Sequence, residues 1–333
     1  MITVEKKSTH EVRDLLRIKN WGGGERQHYC HNIDLLAEVK DGPYKLRNIL
    51  KKNGTMSFYV VYDGDEPTII APLFRKKGTA TIAGTDEYFD YVDLFYRSDV
   101  TIDQLKIAFS SLIAFLKKHK IGRIRWNYIP DDSVSKKLIN NLKAEPKQIE
   151  NTQISFQQYE DYLKSLSKST KQNLRTAENR LKRENREYEL VSNLDSPLSL
   201  ELLHQCIDVY CKRQQGKYEK GILNQLMAKT FNYSTEMMRK QKGLVVALTI
   251  DGDVAAFMFG YINNGRHAYE VPKLAISEKY AFYSPGMILV NRSIQMFAEK
   301  TDIRVLDLCR GTEQYKLKMG GKIYYTYTYM IEI

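Results

Sequence analysis

Leu244-Val245-Val246-Ala247-Leu248-Thr249-Ile250-Asp251-Gly252-Asp253-Val254-Ala255-Ala256-Phe257-Met258-Phe259-Gly260-Tyr261 decides the fold class, because it joins two apolar runs through a single Asp-Gly step. Runs of β-branched and aromatic residues of this length read as strands, and Asp-Gly between them is a strong short-range signal for a hairpin. The same signature stands far upstream, where Phe58-Tyr59-Val60-Val61-Tyr62 passes through Asp63-Gly64-Asp65 into Thr68-Ile69-Ile70-Ala71-Pro72-Leu73-Phe74. After each hairpin come a further strand-like run (Thr79 to Ala83; Arg266 to Val271), an amphipathic helix (Thr101 to His119; Pro285 to Lys300) and a last strand (Arg123 to Tyr128; Ile303 to Leu308). One Asp-Gly match arises easily by chance; agreement in four successive elements does not. The order predicts an α/β (α+β) protein of two similar tandem lobes, residues 1–148 and 149–333, joined near Glu145-Pro146-Lys147-Gln148. Each lobe is expected to hold a mixed central sheet flanked by helices. Leu202 to Tyr210 and Leu223 to Lys240 predict a helical insertion in the second lobe. The terminal run Ile323 to Ile331 alternates, which predicts a strand burying Ile323, Tyr325, Tyr327, Tyr329 and Ile331 on one face.

With 333 residues, 43% hydrophobic and 27% charged, the chain has room for two cores. No apolar run approaches the roughly 20 residues of a membrane-spanning helix, and Met1 to Lys7 lacks a secretory apolar stretch, so a cytoplasmic protein is expected. Cys30, Cys206, Cys211 and Cys309 form no C-x-x-C pair and the six histidines no H-x-x-x-H pattern, so neither a metal nor a disulfide framework is expected. His28 and His31 fall in a loop-like segment, and Trp21-Gly22-Gly23-Gly24 reads as a loop rather than a phosphate motif.

The net charge of +11 is concentrated. Lys164, Lys168, Lys171, Arg175, Arg180, Lys182, Arg183 and Arg186 stand against Glu178 and Glu184, a balance of +6 in one segment. With Ser169 capping a helix from about Thr170, Lys171, Arg175, Lys182 and Arg186 share one stripe while Leu174, Ala177 and Leu181 share another. A basic stripe opposite an apolar one packs on one side and faces an anion, or only solvent, on the other. No base-reading motif accompanies it, which disfavours sequence-specific DNA.

Two further segments concentrate chemistry. Val305-Leu306-Asp307-Leu308-Cys309-Arg310-Gly311-Thr312-Glu313-Gln314-Tyr315-Lys316 sets five titratable residues around a strand-to-helix turn, with Gly311 at the turn and Thr312 as N-cap. Tyr283-Ser284-Pro285-Gly286-Met287 starts a helix with Ser284 as N-cap and Pro285 at the first helical position, an end whose free N–H groups can bind an anion.

Lys168-Ser-Thr-Lys-Gln-Asn-Leu-Arg175, Tyr283-Ser-Pro-Gly286 and Asp307-Leu-Cys-Arg310-Gly-Thr-Glu313-Gln-Tyr315-Lys316, in this order, resemble the GNAT acyltransferase superfamily, and within it the CelD-type acetyltransferase-like family of bacterial polysaccharide and cell-envelope biosynthesis. Ala71-Pro72-Leu73-Phe74-Arg75 and Phe89-Asp90-Tyr91-Val92-Asp93 are similar to that family's first-lobe motifs, so the resemblance spans most of the chain. It implies two GNAT-like lobes and a donor thioester, usually acetyl-CoA, in a cleft where two central strands part, its pyrophosphate at Ser284, Gly286 and Met287. The usual superfamily phosphate loop is replaced here by Tyr-Ser-Pro-Gly. The related Fem-type enzymes imply an alternative donor, aminoacyl-tRNA.

For direct transfer to an amino group of a sugar or envelope precursor, Glu313 or Asp307 is the expected general base, with Tyr315 as proton donor or orienting hydroxyl. Asp307 has a structural alternative, capping or pairing with Arg310. Arg310 and Lys316 are expected to clamp an anionic, phosphate-bearing part of the substrate, with Lys171, Arg175 and Tyr269 extending the surface and Asp90 and Tyr91 contributing from the first lobe. Cys309 has no histidine near it in sequence and reads as a buried thiol. A non-catalytic protein binding an acidic glycan or RNA is the competing class.

Overall fold

The structure, a computed structural model, describes residues 1–18, 21, 32–41, 55–82, 90–91, 93–140, 142, 144–215 and 233–333. Its strands are β1 (Ile2–Lys7), β2 (Thr55–Asp63), β3 (Glu66–Lys76), β4 (Thr79–Ile82), β5 (Phe95–Tyr96), β6 (Arg123–Pro130), β7 (Lys147–Ser155), β8 (Tyr188–Ser192), β9 (Leu244–Ile250), β10 (Asp253–Asn263), β11 (Ala268–Ile276), β12 (Val305–Arg310) and β13 (Lys322–Glu332). Two compact units result: Met1–Glu150 with Tyr325–Ile333, and Asn151–Tyr324.

The duplication read from the hairpins is present in the pairing. In the first unit β1/β2, β2/β3 and β3/β4 are antiparallel, β4/β6 is parallel and β6/β13 antiparallel. In the second unit β8/β9, β9/β10 and β10/β11 are antiparallel, β11/β12 is parallel and β12/β7 antiparallel. The outermost assignment departs from the expected boundary. The strand that follows β6 in the chain, β7, pairs with β12, whereas the strand that follows β12, β13, pairs with β6. A cut at 148/149 therefore gives the first unit no sixth strand of its own.

The first hairpin turns at Gly64-Asp65, with Asp63 still paired to Glu66, and the second at Asp251-Gly252. At the second, Asp251 and Gly252 have φ of 50° and 83°, the two positive values a type I′ turn requires. β9 is buried at every residue and β10 at nearly all, as expected for strands covered on both faces. The helices Leu200–Gln215 and Pro285–Lys300 supply the cover. In the first unit Thr101 caps the helix Ile102–Lys118 in a reciprocal capping box with Gln104, and Leu105, Ala108, Phe109, Leu112 and Leu116 form its buried face.

Some expectations are corrected. The terminal strand does not bury one alternating face throughout: Ile323 and Tyr325 are exposed while Thr326, Tyr329 and Ile331 are buried. The buried side changes between Thr326 and Tyr329, at a register shift whose extra residue lies in the partner strand β6, where Tyr128 has φ 55°, and strict alternation does not anticipate it. The basic segment is two helices, Tyr159–Ser165 and Lys168–Arg183, and the cap of the second is Ser167, whose hydroxyl accepts from Thr170 N at 3.1 Å; Ser169 lies inside the helix. Arg186 falls beyond that helix and pairs with Asp251 at 2.7 Å. Cys206, Cys211 and Cys309 are buried. Cys30, His28, His31, the Gly22–Gly24 run, Phe89, Val92 and most of the segment before Tyr233 lie outside the described residues. Among the described residues no helix is long and apolar enough to cross a membrane.

Candidate functional site

In the second unit the parallel strands β11 and β12 pair at only three positions, Ala268/Val305, Tyr269/Leu306 and Glu270/Asp307, although each strand continues. The neighbouring ladders are irregular at the same level. β10 shifts register between Phe259 and Tyr261, and Gly260 is backed so closely against β11 that a Cβ there would lie 1.9 Å from the Glu270 carbonyl oxygen. β12 shifts between Asp307 and Arg310, with buried Cys309 at φ 54°. A left-handed backbone at a non-glycine residue costs on the order of 1 kcal/mol or more. Asp307 supports this bulge, its Oδ1 accepting from Cys309 N at 2.9 Å.

The end of the pairing carries two fully buried carboxylates, Glu270 and Asp307. One guanidinium serves both: Arg266 Nη1 donates to Glu270 Oε1 at 3.1 Å and to Asp307 Oδ2 at 3.3 Å, while its Nη2 donates to Gln153 Oε1 at 3.3 Å. Asn263 Nδ2 donates to Glu270 at 2.9 Å, and the Tyr324 hydroxyl lies 2.8 Å from both Asp307 oxygens. Asp307 thus caps and pairs inside the fold, with Arg266 as a partner. Sequence reading missed Arg266, Glu270 and Tyr324; a Glu at the pairing end of a buried strand, one period from Asn263 across a hairpin, was the available signal.

Beyond β12 the turn forms at Gly311, φ 98°, and the N-cap position of the short helix Gln314–Lys318 is Glu313, one residue later than Thr312. Lys316 is not a substrate clamp. It is 4% exposed, and its ammonium donates to the carbonyls of Leu308, Arg310 and Gly311 at 3.0, 2.8 and 3.3 Å while facing Glu313 at 2.9 Å. A buried ammonium must spend its donors on nearby acceptors, and the strand end offers three. Burial alone would lift the Glu313 carboxyl, but the hydrogen bond and charge of Lys316 outweigh it and hold Glu313 below the usual carboxylate range. Burial, with the Glu313 charge adding to it, pushes the Tyr315 hydroxyl up to about 12. Arg213, on the helix Leu200–Gln215 and bonded to the Leu274 carbonyl, also acts electrostatically on Glu313 and Tyr315; nothing in its local sequence marked it.

The other expected residues divide. Tyr269 is wholly buried and donates to the Leu244 carbonyl at 2.8 Å, a core role rather than a substrate contact. Ser284 precedes the helix as expected but has a left-handed backbone, φ 51°, and makes no side-chain cap bond. Met287 N donates back to Ser284 O at 3.0 Å, and Pro285 has no N–H to offer. Gly286 is buried, and a Cβ there would come within 2.6 Å of Ile276 Cδ1, so the glycine lets the helix pack closely on β11. Arg310 is half-buried at the bulge end. In the first unit Asp90 and Tyr91 are buried, 4% and 0% exposed, rather than exposed contact residues. Lys171 and Arg175 line a cleft of about 290 Å³ with Asn291 and Arg292, away from the β11/β12 parting.

Residues 168–317 match the family described as acetyltransferase (GNAT) domain, so this region of the chain is a GNAT-fold acyltransferase domain. Among solved structures the chain is similar to FemX (8% identity, TM-score 0.60, covering 99% of this chain and 97% of that one). It is also similar to L-PGS from Bacillus licheniformis (15%, 0.55, 93% of each) and to a tandem GNAT protein from the clavulanic acid biosynthesis pathway (9%, 0.52, 100% and 98%). At these identities the likeness establishes the tandem GNAT-like fold. No curated protein matches the chain.

Proposed function

We propose that the chain is an N-acyltransferase of the CelD type, moving an acyl group, acetyl in the first instance, from an acyl-CoA thioester to an amino group of a sugar or cell-envelope polysaccharide precursor. The observation that supports this reading is the parting of β11 from β12 beside two buried carboxylates, inside the region similar to acetyltransferases. The amine nitrogen attacks the thioester carbon, the C–S bond breaks, and the proton lost from nitrogen ends on the thiol or on a base. Glu313, ionised and half-exposed, accepts that proton after attack, when the nitrogen has become strongly acidic; a carboxylate of low basicity suffices at that stage. Tyr315 keeps its proton and offers it as a hydrogen bond to the leaving thiolate, which is protonated by the proton Glu313 took from nitrogen or by solvent. Asp307, committed to Arg266, Tyr324 and Cys309 N, positions the strand end rather than reacting. Isothermal titration with acetyl-CoA is expected to give saturable binding, and Glu313→Gln a large fall in turnover with the melting temperature retained; absence of binding at high protein concentration would overturn the donor assignment.

The exposed cations of the helix Lys168–Arg183 favour one other donor, aminoacyl-tRNA, as in Fem-type enzymes. That reading requires tRNA binding that weakens steeply with salt, by tens-fold or more between 50 and about 200 mM.

A further inference from the structure

The cleft lined by Lys171 and Arg175 lies among three helices of the second unit: Tyr159–Ser165, Lys168–Arg183 and Pro285–Lys300. Its charge is one-sided. Lys164, Lys171, Arg175 and Arg292 face one carboxylate, Glu178, which Arg292 already holds at 2.8 Å. Lys171 gives one of its three donors to the Lys164 carbonyl at 3.1 Å, and exposed Arg175 makes no ion pair among the described residues.

An independent observation comes from the floor. Asn291 is 4% exposed, its Nδ2 donates to the Tyr159 hydroxyl at 3.0 Å, and its Oδ1 has no partner; the Nε of Arg292 beside it has none either. A buried amide atom left unsatisfied is unfavourable and calls for a ligand group. The two ends of an asparagine amide exchange by a half-turn. With the amide turned, Tyr159 donates to Oδ1 and the NH₂ is left in the cleft. In that arrangement the amide NH₂, the Arg292 Nε–H, the Arg175 guanidinium and the Lys171 and Lys164 ammonium groups are donors, while the one carboxylate, Glu178, is held by the Arg292 fork; such a set is the complement of a phosphate. Leu163 and Leu174 supply apolar walls, and about 290 Å³ holds a phosphate with one small substituent. Arg292 lies six residues beyond Gly286 on one helix, roughly 9 Å along its axis, so the cleft is separate from the helix start expected to meet the donor.

We propose that this cleft binds the phosphate ester of the acceptor, a phosphorylated amino sugar or a molecule of similar size. The acceptor assignment rests on the acyltransferase reading; the binding does not. The test is calorimetry of the whole chain with glucosamine 6-phosphate, glucosamine, inorganic phosphate and acetyl-CoA, on the wild type and on Lys171→Ala/Arg175→Ala, with thermal melting to verify the fold and each single Gln variant as a second probe. Expected are saturable binding of glucosamine 6-phosphate at least tenfold tighter than glucosamine, at least tenfold weaker in the double variant, and acetyl-CoA affinity changed by less than about twofold. Inorganic phosphate binding as tightly as the sugar phosphate would overturn the ester assignment in favour of a free-anion site. No difference between sugar and sugar phosphate, or no effect of the variants, overturns the proposal; so does a parallel tenfold loss of acetyl-CoA, which would give the cleft to the donor, or tRNA binding that alone responds to the variants. Sugar-phosphate binding with no acetyl-CoA binding would leave the site standing and remove the acyltransferase reading.

Discussion

Lys316 is the residue whose meaning changes most between sequence and structure. A lysine three residues after a glutamate, past a strand end, reads as a substrate cation; folded, it closes three carbonyls that the bulge at Cys309 and the turn at Gly311 leave without ladder partners. Lys316→Met keeps the volume and removes the donors, so it is expected to cost about 2–4 kcal/mol and lower the melting temperature by roughly 5–15 °C. The same substitution frees Glu313. Because the folded Glu313 carboxyl is depressed, its contribution to stability is present above its unfolded value and is lost as pH falls through the folded one. In Lys316→Met that contribution is gone, burial then lifts the carboxyl, and the acid limb of kcat/KM is expected to move to higher pH; an unmoved limb removes Glu313 from the proton path. Glu313, Tyr315 and Lys316 were legible as one group because neighbours in a strand-to-helix turn stay neighbours. Arg266 and Glu270 were illegible because only the register of β11 on β12 brings them to Asp307.

Among elements, the hairpins and the start of the helix Pro285–Lys300 were legible because Asp-Gly and Ser-Pro act within a few residues, whereas the caps were not: Ser167 and Glu313 stand where Ser169 and Thr312 were expected, and Ser284 makes no side-chain cap bond. The bulges were not, since a bulge is set by what a strand meets on its neighbours. Gly260 illustrates the difference. In sequence it is a glycine inside an apolar strand; in the sheet it is where β10 comes up against the backbone of Glu270. Gly260→Ala would drive a methyl group into a carbonyl oxygen at 1.9 Å, and neither backbone can retreat without breaking the β10/β11 ladder. The expected cost is about 3 kcal/mol or more, seen as a lowered denaturation midpoint, with loss of turnover exceeding loss of folded protein because Glu270 and Arg266 are displaced. An alanine variant as stable and as active as the parent would show that the close approach does not constrain the carboxylate pair.

For the whole molecule, tandem hairpins announced two lobes, but not which unit takes the last strand, because β7 and β13 each suit either sheet by pattern and only long-range pairing decides. The first unit completes its sheet with β13, whose residues Thr326 to Glu332 pair with β6. Deleting Tyr325–Ile333 is therefore expected to raise amide exchange along Arg123–Pro130 at the far end of the sequence, while β9 and β10 keep their protection; unchanged exchange in β6 would contradict the pairing. The arrangement also bears on biosynthesis. Domains made on a ribosome ordinarily close in the order they emerge, yet here the unit that emerges first is held open until the other has been translated, on the order of ten seconds or more at usual elongation rates. During that interval the backbone of β6 is an uncovered strand edge, and a nascent chain of this protein is expected to depend on holdase chaperones or slow codons more than its finished stability would indicate.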